Sequence, residues 1–230
     1  MYQINLSAVA PYNLHMFYFR NTFSYQQEWS RQLHENRTLH LTKTRQAGAD
    51  WLFSLHAFLD ALHTGRNQIF LSDDEGLLNC AHDYFAMLLK IDGIECSAPA
   101  EIQGNATVYC LPNGSHVSFL MANPLMAGLS GNVYVPEYAW TQNPERLRKL
   151  AESLACHKQH RKAYYTTPSR SFAAGQVHKK IINSPSTLDC SLTIDNCPLY
   201  NAAFINSLRS WVSADDFAML YMCQWQTVEA

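Results

Sequence analysis

Residues 38–62 read TLHLTKTRQAGADWLFSLHAFLDAL, and this stretch decides the fold class of the chain. Its first seven residues alternate apolar and polar side chains, a pattern typical of a β-strand. The next four residues, RQAG, contain the glycine of a tight turn. From Trp51 to Leu62 apolar residues recur at helical spacing. The stretch therefore predicts a strand, a turn and a helix in direct succession.

The same succession is repeated further along the chain. Residues 68–72 (QIFLS) predict a second strand, and a second helix follows through residues 77–90. Within residues 106–121, Asn113 and Gly114 lie between two alternating runs. Because an Asn-Gly pair supplies the positive φ angles of a tight turn, this segment predicts a β-hairpin.

Two further buried strands are predicted at residues 132–138 and 161–168. A helix between them begins near residues 143–145 with Asn, Pro and Glu, which are typical of a helix start, and extends to about His157. Alternating strands and helices favour a parallel sheet. We therefore expect an α/β fold with a mostly parallel sheet flanked by helices and a β-hairpin insertion.

Composition excludes several classes of protein. The chain has 230 residues, of which 47% are hydrophobic and 16% charged, enough for one globular domain with a sizeable core. Its apolar stretches are too short for a membrane span, and its first residues lack the pattern of a secretory signal, so we expect no membrane partner and a cytoplasmic location. The seven cysteines are never spaced as C-x-x-C, which fits neither a disulfide framework nor a thiolate zinc site.

Positive charge is concentrated between Glu145 and Lys180. Nine basic residues fall there against two acidic ones, although the whole chain has 17 basic and 19 acidic residues. Such a segment can attract the phosphates of a nucleic acid. The charges alone favour a solvated helix face with ordinary ion pairs. The candidates for contact with a nucleic acid are Arg146, Lys149, Lys158, Arg161 and Lys162.

The turn after the first strand has the layout of a phosphate-binding loop. A strand that leads through such a turn into a helix presents backbone N–H groups and the helix N-terminus to phosphates. A standard P-loop begins with Gly and ends with Gly-Lys-Ser/Thr, because the Lys reaches the terminal phosphates and the hydroxyl holds Mg²⁺. Here those three positions read Lys43, Ala49 and Asp50. On this pattern alone, an ordinary strand-to-helix turn is favoured.

The order of the motifs resembles the ATPase domain of the large terminase subunit, the DNA-packaging motor of tailed bacteriophages. SYQQEW (24–29) looks like the Tyr-Gln-x-x-Trp segment ahead of the P-loop in that family. KTRQAGADW (43–51) is similar to the Lys-Ser-Arg-Gln-x-Gly-Ala-Thr-Trp pattern of one terminase branch. GNVYVPEYAW (131–140) resembles the Walker B segment, and TTPS (166–169) resembles the Ser-Thr-Pro-Ser coupling motif. FAMLYMCQW (217–225) resembles the helix that closes the ATPase half.

This resemblance implies a P-loop NTPase-like fold that binds ATP and Mg²⁺. Glu137 has the position of the carboxylate that activates water for attack on the γ-phosphate. The implied partners are double-stranded DNA and a small terminase subunit or portal protein, in the cytoplasm of a bacterial host. The coupling motif corresponds to Thr166, Thr167, Pro168 and Ser169. The implied nucleotide contacts are Tyr25 and Gln26 on the adenine side and the loop residues Arg45, Gln46, Ala47, Gly48, Ala49 and Asp50.

Two positions depart from the family pattern. Asp50 replaces the hydroxyl that ligates Mg²⁺ and brings a carboxylate toward the phosphates; it could ligate the metal itself, but the octahedral geometry of Mg²⁺ makes this less favoured. Pro136 stands where the family has the Asp that orients the metal's water shell, and it removes an N–H group from a strand that we expect to be central. Glu137 is kept. We therefore expect an ATPase-like domain with weakened or lost hydrolysis, and the sequence leaves open whether the chain is an active enzyme.

The resemblance divides the chain into an adenine-side segment (1–37), a P-loop core (38–170) and a C-terminal subdomain or linker (171–230). The looser composition of residues 172–196 predicts a linker or a partner-dependent region, with a short strand candidate from Ser191 to Ile194. No acidic cluster could replace the metal-dependent nuclease domain that follows the ATPase half in such terminases, so we expect none here. The alternative function is a non-enzymatic interaction module, such as a prophage remnant that binds a terminase, DNA or another partner.

One histidine cluster is a weaker candidate for a metal site. His157 and His160 are three residues apart and follow Cys156, an arrangement that could contribute to zinc binding. A second pair of ligands is missing from the surrounding sequence. We therefore interpret the two histidines as a surface pair.

Overall fold

The computed structural model describes residues 11–90, 100–101, 106–122 and 128–226. Within them, eight strands form one sheet in the spatial order β3-β4-β5-β2-β6-β7-β1-β8. The strands from β5 to β8 in that order pair in parallel, whereas β3 and β4 extend one edge in antiparallel pairing. The mostly parallel α/β fold predicted from the sequence is confirmed. The strands are β1 Thr38–Lys43, β2 Gln68–Ser72, β3 Ala100–Glu101, β4 Ala106–Cys110, β5 His116–Met121, β6 Asn132–Pro136, β7 Lys162–Thr166 and β8 Thr187–Leu192.

Helices cover both faces of the sheet, and the ends of most are set by local sequence. Gly65 ends α3 in a left-handed conformation with φ 72°, as expected for a glycine C-cap. The side chains of Asp74, Asn143 and Ser171 accept backbone N–H bonds at the starts of α4, α5 and α6. The helices are α1 Pro11–Asn21, α2 Ser24–Glu35, α3 Ala49–Thr64, α4 Glu75–Leu88, α5 Pro144–Leu154, α6 Phe172–Ile182, α7 Ala202–Trp211 and α8 Ala214–Leu220.

The two faces of the sheet bury two separate apolar cores. Side chains of a strand alternate between the faces, so Phe70 packs on one side while Ile69 and Leu71 pack on the other. The first core contains the apolar faces of α2, α3 and α4, and the second contains those of α5 and α6. The central strands β1, β2, β6 and β7 are buried along their whole length. This double burial holds the loops at the strand ends on a rigid base.

The predicted hairpin is present, with a different turn. Strands β4 and β5 pair antiparallel across a five-residue loop, 111–115, rather than a two-residue turn. Gly114 has a positive φ of 84°, but Asn113 does not, so the expectation of two positive φ angles is wrong for Asn113. The Asn113 amide instead donates hydrogen bonds to the carbonyls of Ala61 and Leu62 in α3, at 2.8 and 3.0 Å. These contacts fix the loop to the helix and remove the need for a tight turn.

The prediction of a linker at residues 172–196 is wrong. This segment forms α6 and then β8, which pairs in parallel with β1 from Thr38↔Thr187 to Lys43↔Leu192. As the last strand of the sheet, β8 is only partly covered, and its mixed sequence therefore lacks the apolar pattern of the central strands.

Pro136 is the last residue of β6. Strand β6 is central, but its pairing with β2 ends at Phe70↔Tyr134, before the proline is reached. On the other side, the ladder with β7 continues through Pro136, where the Glu137 N–H donates to the Tyr165 carbonyl at 2.7 Å. The N–H that proline lacks would point toward β2, where the ladder has already ended.

Candidate functional site

A cavity of about 540 Å³ opens at the carboxyl ends of the parallel strands β1, β6 and β7. Lys43 ends β1, Glu137 follows β6 and Thr167 follows β7, and all three side chains line it. Open parallel α/β sheets usually bind ligands at this edge. The remaining lining residues come from the loop before α3, from α3 and α4, from Trp140 and from the C-terminal part of the chain: Arg45, Gln46, Asp50, Leu77, Cys80, Trp140, Tyr200, Phe204, Leu208 and Tyr221.

The loop of residues 44–48 has an unusual backbone. Gln46 and Gly48 both have left-handed φ angles, 55° and 69°. A Cβ atom at residue 48 would lie 2.7 Å from the Gln26 Nε2 atom, so only glycine fits there without displacement. The Thr44 and Arg45 N–H groups donate to the carbonyls of Leu192 and Leu220. The start of the loop is thus fixed to the C-terminal part of the chain, and α3 begins immediately after the loop with its positive helix end near the cavity.

Tyr25 and Gln26, on α2, fix this loop through side-chain hydrogen bonds to its backbone carbonyls. The Tyr25 hydroxyl donates to the Ala47 carbonyl at 3.0 Å, and the Gln26 Nε2 donates to the Gly48 carbonyl at 3.0 Å. The Gln26 Oε1 accepts the Phe23 N–H at 2.9 Å, so both ends of this buried amide are bonded. Neither residue lines the cavity. Their expected contact with adenine stays a prediction, and in the present geometry they position the loop.

Lys43 is a site residue that the sequence did not identify as functional. Its side chain is buried, and its Nζ contacts Glu137 Oε1 and lies 3.4 Å from Thr167 Oγ1. A buried lysine needs a counter-charge, and Glu137 provides it. One feature of the sequence could have indicated this role: Lys43 is the last residue of a strand that is otherwise apolar or uncharged, directly before the loop. A standard P-loop has glycine at that position, so the P-loop pattern assigns no role to this lysine.

Glu137 connects three parts of the site. It has a left-handed φ of 43°, a conformation that costs energy for any residue with a Cβ. One carboxylate oxygen contacts Lys43, and the other accepts the Thr167 N–H at 2.8 Å and lies 3.3 Å from Thr166 Oγ1. These bonds stabilise the strained turn between β6 and the short 3₁₀ helix Tyr138–Trp140.

The predicted coupling motif packs directly on this turn. The Thr166 hydroxyl oxygen accepts the Ala139 N–H at 3.3 Å, and the Thr167 carbonyl accepts the Trp140 indole N–H at 2.9 Å. The Ser169 hydroxyl donates to the Ala139 carbonyl at 2.6 Å. Pro168 is buried between them. The structure therefore brings residues 166–169 together with Glu137.

Asp50 also lines the cavity. Its Oδ1 accepts the Tyr165 hydroxyl at 2.9 Å. Burial raises the pKa of Asp50 to about 6; the nearby Glu137 charge adds to this, and the Lys43 charge opposes it. A carboxyl group with this pKa is protonated in a sizeable fraction of molecules at mildly acidic pH.

The described side chains that line the cavity do not form a metal site of three protein ligands. Across the described residues, no three His, Cys, Asp or Glu side chains are grouped so that they could hold one. The two carboxylates in the cavity are already bonded to Lys43, Tyr165 and the Thr167 N–H. Asp50 as a magnesium ligand stays a prediction. The lining does fit an anionic ligand, because Lys43 and Arg45 supply two positive charges.

Arg45 lies at the cavity mouth. It is exposed, and its guanidinium group stacks 4.7 Å from the centre of the Trp140 ring. Its carbonyl accepts the Tyr200 hydroxyl at 3.1 Å. Of the predicted loop residues, Arg45, Gln46 and Asp50 line the cavity. Ala47 and Ala49 are instead buried in the core below it.

The basic segment does not form one surface. Lys162 is buried and pairs with Glu152. Arg161 donates two hydrogen bonds to the His34 carbonyl, at 3.0 and 2.7 Å. Lys149 and Lys158 are exposed, on α5 and in the turn after it, and Arg146 on α5 is partly exposed. Contact of these five residues with a nucleic acid stays a prediction.

No helix in the described ranges combines the length and the apolar character that a membrane crossing requires.

Comparison with known proteins gives consistent matches over most of the chain. Residues 41–230 match the family model described as "Terminase large subunit, T4likevirus-type, N-terminal". The terminase ATPase subunit of Escherichia phage P2 is 30% identical over 245 residues, covering 92% of this chain and 40% of that protein. The probable terminase ATPase subunit of Haemophilus phage HP1 is 34% identical over 152 residues, covering 65% of this chain and 24% of that protein. The chain thus spans less than half the length of these relatives.

Solved structures share the fold. The large terminase of a thermophilic bacteriophage superposes with a TM-score of 0.70 at 12% identity, covering 88% of this chain and 53% of that one. The same terminase in complex with ATP-γ-S gives a TM-score of 0.69 at 13% identity, covering 89% and 53%. At such low identity, the likeness establishes the fold.

Proposed function

Because this chain belongs to the terminase large-subunit family, we propose that its cavity binds ATP and that it serves in phage DNA packaging. The match is to the N-terminal part of the family, and the phage P2 relative is named an ATPase subunit. A related terminase fold has been solved with ATP-γ-S. The activity and partners of the whole relatives are carried to this chain only as parts of this proposal.

One observation carries the proposal: Lys43, Arg45 and Glu137 line a single cavity beside the loop of residues 44–48. Arg45 is exposed at the mouth, where it can meet phosphate oxygens, and Lys43 lies deeper. Arg and Lys are the residues that bind phosphates in proteins. The positive end of α3 adds to their attraction for an anion.

The contacts of Glu137 suggest how binding is linked to hydrolysis. Terminal phosphates of ATP compete with Glu137 for Lys43, which releases one carboxylate oxygen to orient a water molecule. The other oxygen keeps its bond to the Thr167 N–H, so a shift of Glu137 pulls on the motif of residues 166–169. Glu137 can thus act as the base and transmit the change at the same time.

We further propose that hydrolysis is weak. Glu137 must leave a buried lysine before it can act, and the ionised Asp50 carboxylate repels phosphates in the same cavity. The described side chains do not form a metal site of their own, so any Mg²⁺ would have to arrive with the phosphates.

The same Lys43–Glu137 contact favours a second candidate function. A closed ion pair satisfies both side chains without any ligand, so the fold can persist as a non-enzymatic interaction module of prophage origin. In either case the proposed partners are double-stranded DNA and a small terminase subunit or portal protein, and the proposed location is the cytoplasm of a bacterial host.

Calorimetric titration with ATP, followed by a phosphate-release assay, tests the proposal. Arg45→Gln is expected to weaken ATP binding about tenfold, because a charge-assisted contact to phosphate is lost. Glu137→Gln is expected to retain binding and lose hydrolysis. Arg20→Gln, an exposed arginine on α1, is the matched control.

The outcomes separate the two candidates. ATP binding that depends on Arg45 supports the ATP site, and hydrolysis that depends on Glu137 supports the enzyme. No detectable binding of ATP by the folded chain would contradict the ATP site and leave the interaction module.

A further inference from the structure

A second, polar basin lies at the opposite edge of the sheet. It has a volume of about 670 Å³ and opens at the amino ends of β2, β6 and β7. Arg66, Ser130, His157, Gln159 and His160 line it. None of these residues lines the cavity at the carboxyl ends of the strands. The basin is therefore separate from the proposed ATP site.

Positive charge accumulates around this basin with little compensation. Arg37 donates to the carbonyls of Ala155 and Cys156, so its bonds go to backbone oxygens rather than to a carboxylate. Arg161 likewise donates to a carbonyl, that of His34. In the described ranges, Arg66 alone of these three arginines meets a carboxylate, Asp60, and only at 3.4 Å.

Two buried polar atoms of the basin lack a hydrogen-bond partner among the described residues. They are Nδ1 of His160 and Oγ of Ser130. His160 is only 5% exposed, so the interpretation of His157 and His160 as a surface pair is wrong for His160, and this nitrogen is shielded from bulk water. Leaving a buried polar group unpaired is costly, and such groups usually have a ligand or water as partner. Both groups can donate a hydrogen bond, and a turn of either side chain toward the basin would present its O–H or N–H to a bound anion.

The positive charges around the basin also lower the pKa values of two of its neighbours, His160 and Arg161. Burial lowers the pKa of His160, and the charges of His157, Arg66 and Arg37 lower it further. Burial also lowers the pKa of Arg161, again with a contribution from Arg66, and the charge of Asp60 opposes the shift. A bound anion would oppose both effects. A zinc site is not supported, because no metal-binding group of three ligands occurs in the part of the chain that the structure describes.

We propose that this basin is a binding site for a phosphate group. Arg66 supplies a planar pair of donors to this basin, which Ser130 and His160 also line with a hydroxyl and a ring N–H group. The same chemistry serves inorganic phosphate and a backbone phosphate of a nucleic acid. The site does not depend on ATP binding in the other cavity.

The test begins with calorimetric titration of the full chain with inorganic phosphate. Arg66→Gln is expected to weaken phosphate binding about tenfold, because a charged donor pair is lost. Arg20→Gln makes the same change on α1 and is expected to have no effect. Equal effects of the two substitutions would overturn the proposal.

A second pair of variants covers the case in which Arg66→Gln fails to fold. Gln159 lines the basin and is exposed, so Gln159→Glu adds a repelling charge with little risk to the core. Gln176→Glu places the same charge on an exposed position of α6. Loss of phosphate binding in the first variant only supports the site, and retention of binding in both overturns it.

Two further measurements identify where phosphate binds and where it comes from. If Arg45→Gln removes phosphate binding while Arg66→Gln leaves it intact, the anion occupies the ATP cavity and the proposal fails. If phosphate binding depends on Arg66, duplex DNA is added as a competitor. Displacement of phosphate by DNA supports a nucleic-acid backbone as the source, and no displacement supports the free anion.

Discussion

At the scale of single residues, the contact between Lys43 and Glu137 is the feature on which the site depends. Lys43 is buried, whereas Glu137 is partly exposed and has a left-handed φ of 43°. Glu137→Gln leaves a buried lysine without a counter-charge and is expected to reduce the free energy of unfolding by about 3 kcal/mol. Adding Lys43→Met is expected to recover part of this loss. Urea unfolding of the two single variants and the double variant measures the coupling.

The exposed pair of Arg31 and Glu28 is the control for this cycle. Its side chains are 54% and 45% exposed, so its coupling energy is expected to be below about 1 kcal/mol. A Lys43–Glu137 coupling no larger than that of the exposed pair would show that the buried contact does not stabilise the site.

Asp50 gives the site a pH dependence with a definite sign. Its pKa is raised in the folded chain to about 6, so the folded state binds the proton more strongly than the unfolded state. Its protonation therefore stabilises the fold as pH falls from about 7 toward 4, and this contribution is lost as pH rises through 6. The stability advantage of Asp50→Asn over the unsubstituted chain is expected to be larger at about pH 7.5 than at about pH 5, by on the order of 1 kcal/mol, and to disappear only toward about pH 4.

Two histidines change the stability of the fold with pH in the opposite direction to Asp50. The effect of Asp50 is therefore measured as the difference between Asp50→Asn and the unsubstituted chain. Burial lowers the pKa of His56 and of His178 to about 4, so the unfolded chain takes up these protons first and acid destabilises the fold. These contributions cancel in the difference between the two proteins. A difference in unfolding free energy that stays constant from about pH 5 to 7.5 would contradict the raised pKa of Asp50.

Sequence could not reveal the role of Lys43 by itself. The strand, the glycine and the helix start that surround it are local features and were predicted correctly. The partner of Lys43 is Glu137, which is distant in sequence and adjacent only because β1 and β6 both pair with β7. A charge pair of this kind depends on sheet order, which residue patterns do not encode directly.

At the scale of elements, β8 connects the far edge of the sheet to the site. Asp189 on β8 accepts a hydrogen bond from the buried His40 Nδ1 at 2.7 Å, and the His40 Nε2 lies 2.8 Å from the Tyr138 hydroxyl. Tyr138 follows Glu137 directly. Asp189→Ala is expected to lower the melting temperature by about 2–4 °C, the equivalent of one hydrogen bond to a buried group. Thermal unfolding followed by circular dichroism measures this.

Ser191→Ala is the control on the same strand, because Ser191 is exposed two residues further along. It is expected to leave the melting temperature within about 1 °C. An equal loss in both variants would mean that β8 is sensitive to any truncation and that the bond to His40 has no special weight.

The success of prediction differed between elements for a physical reason. Central strands such as β2 and β6 are buried on both faces and carry a continuous apolar pattern, so their own sequence is sufficient to predict them as strands. The edge strand β8 is held by the backbone of β1 instead, and its side chains alternate poorly. Local sequence therefore indicated a linker with a short strand candidate at residues 191–194, where the sheet in fact continues as β8.

At the scale of the whole molecule, the order of strands and helices could be predicted, but the grouping of charges could not. Residues 145–180 are strongly basic in sequence, yet several of these side chains are used in contacts within the fold. Lys162 pairs with Glu152, and Arg161 turns toward α2. The basic side chains that lie close together, around Arg66 and His160, come from separate segments of the chain. Counting charges along the sequence therefore does not predict this group.

The C-terminal part of the chain completes the cavity at this same scale. Phe204 on α7 lines it and is 47% exposed, so a bound nucleotide would cover a side chain that contributes little to the fold. Phe204→Ala is expected to weaken ATP binding by roughly three- to tenfold, about 1 kcal/mol of lost apolar contact, without a change in melting temperature. Phe172→Ala, which truncates a phenylalanine that is 48% exposed on α6, is expected to leave ATP binding unchanged. If both variants bind ATP as tightly as the unsubstituted chain, α7 does not contact the ligand, and the cavity wall built by the C-terminal helices has no part in nucleotide binding.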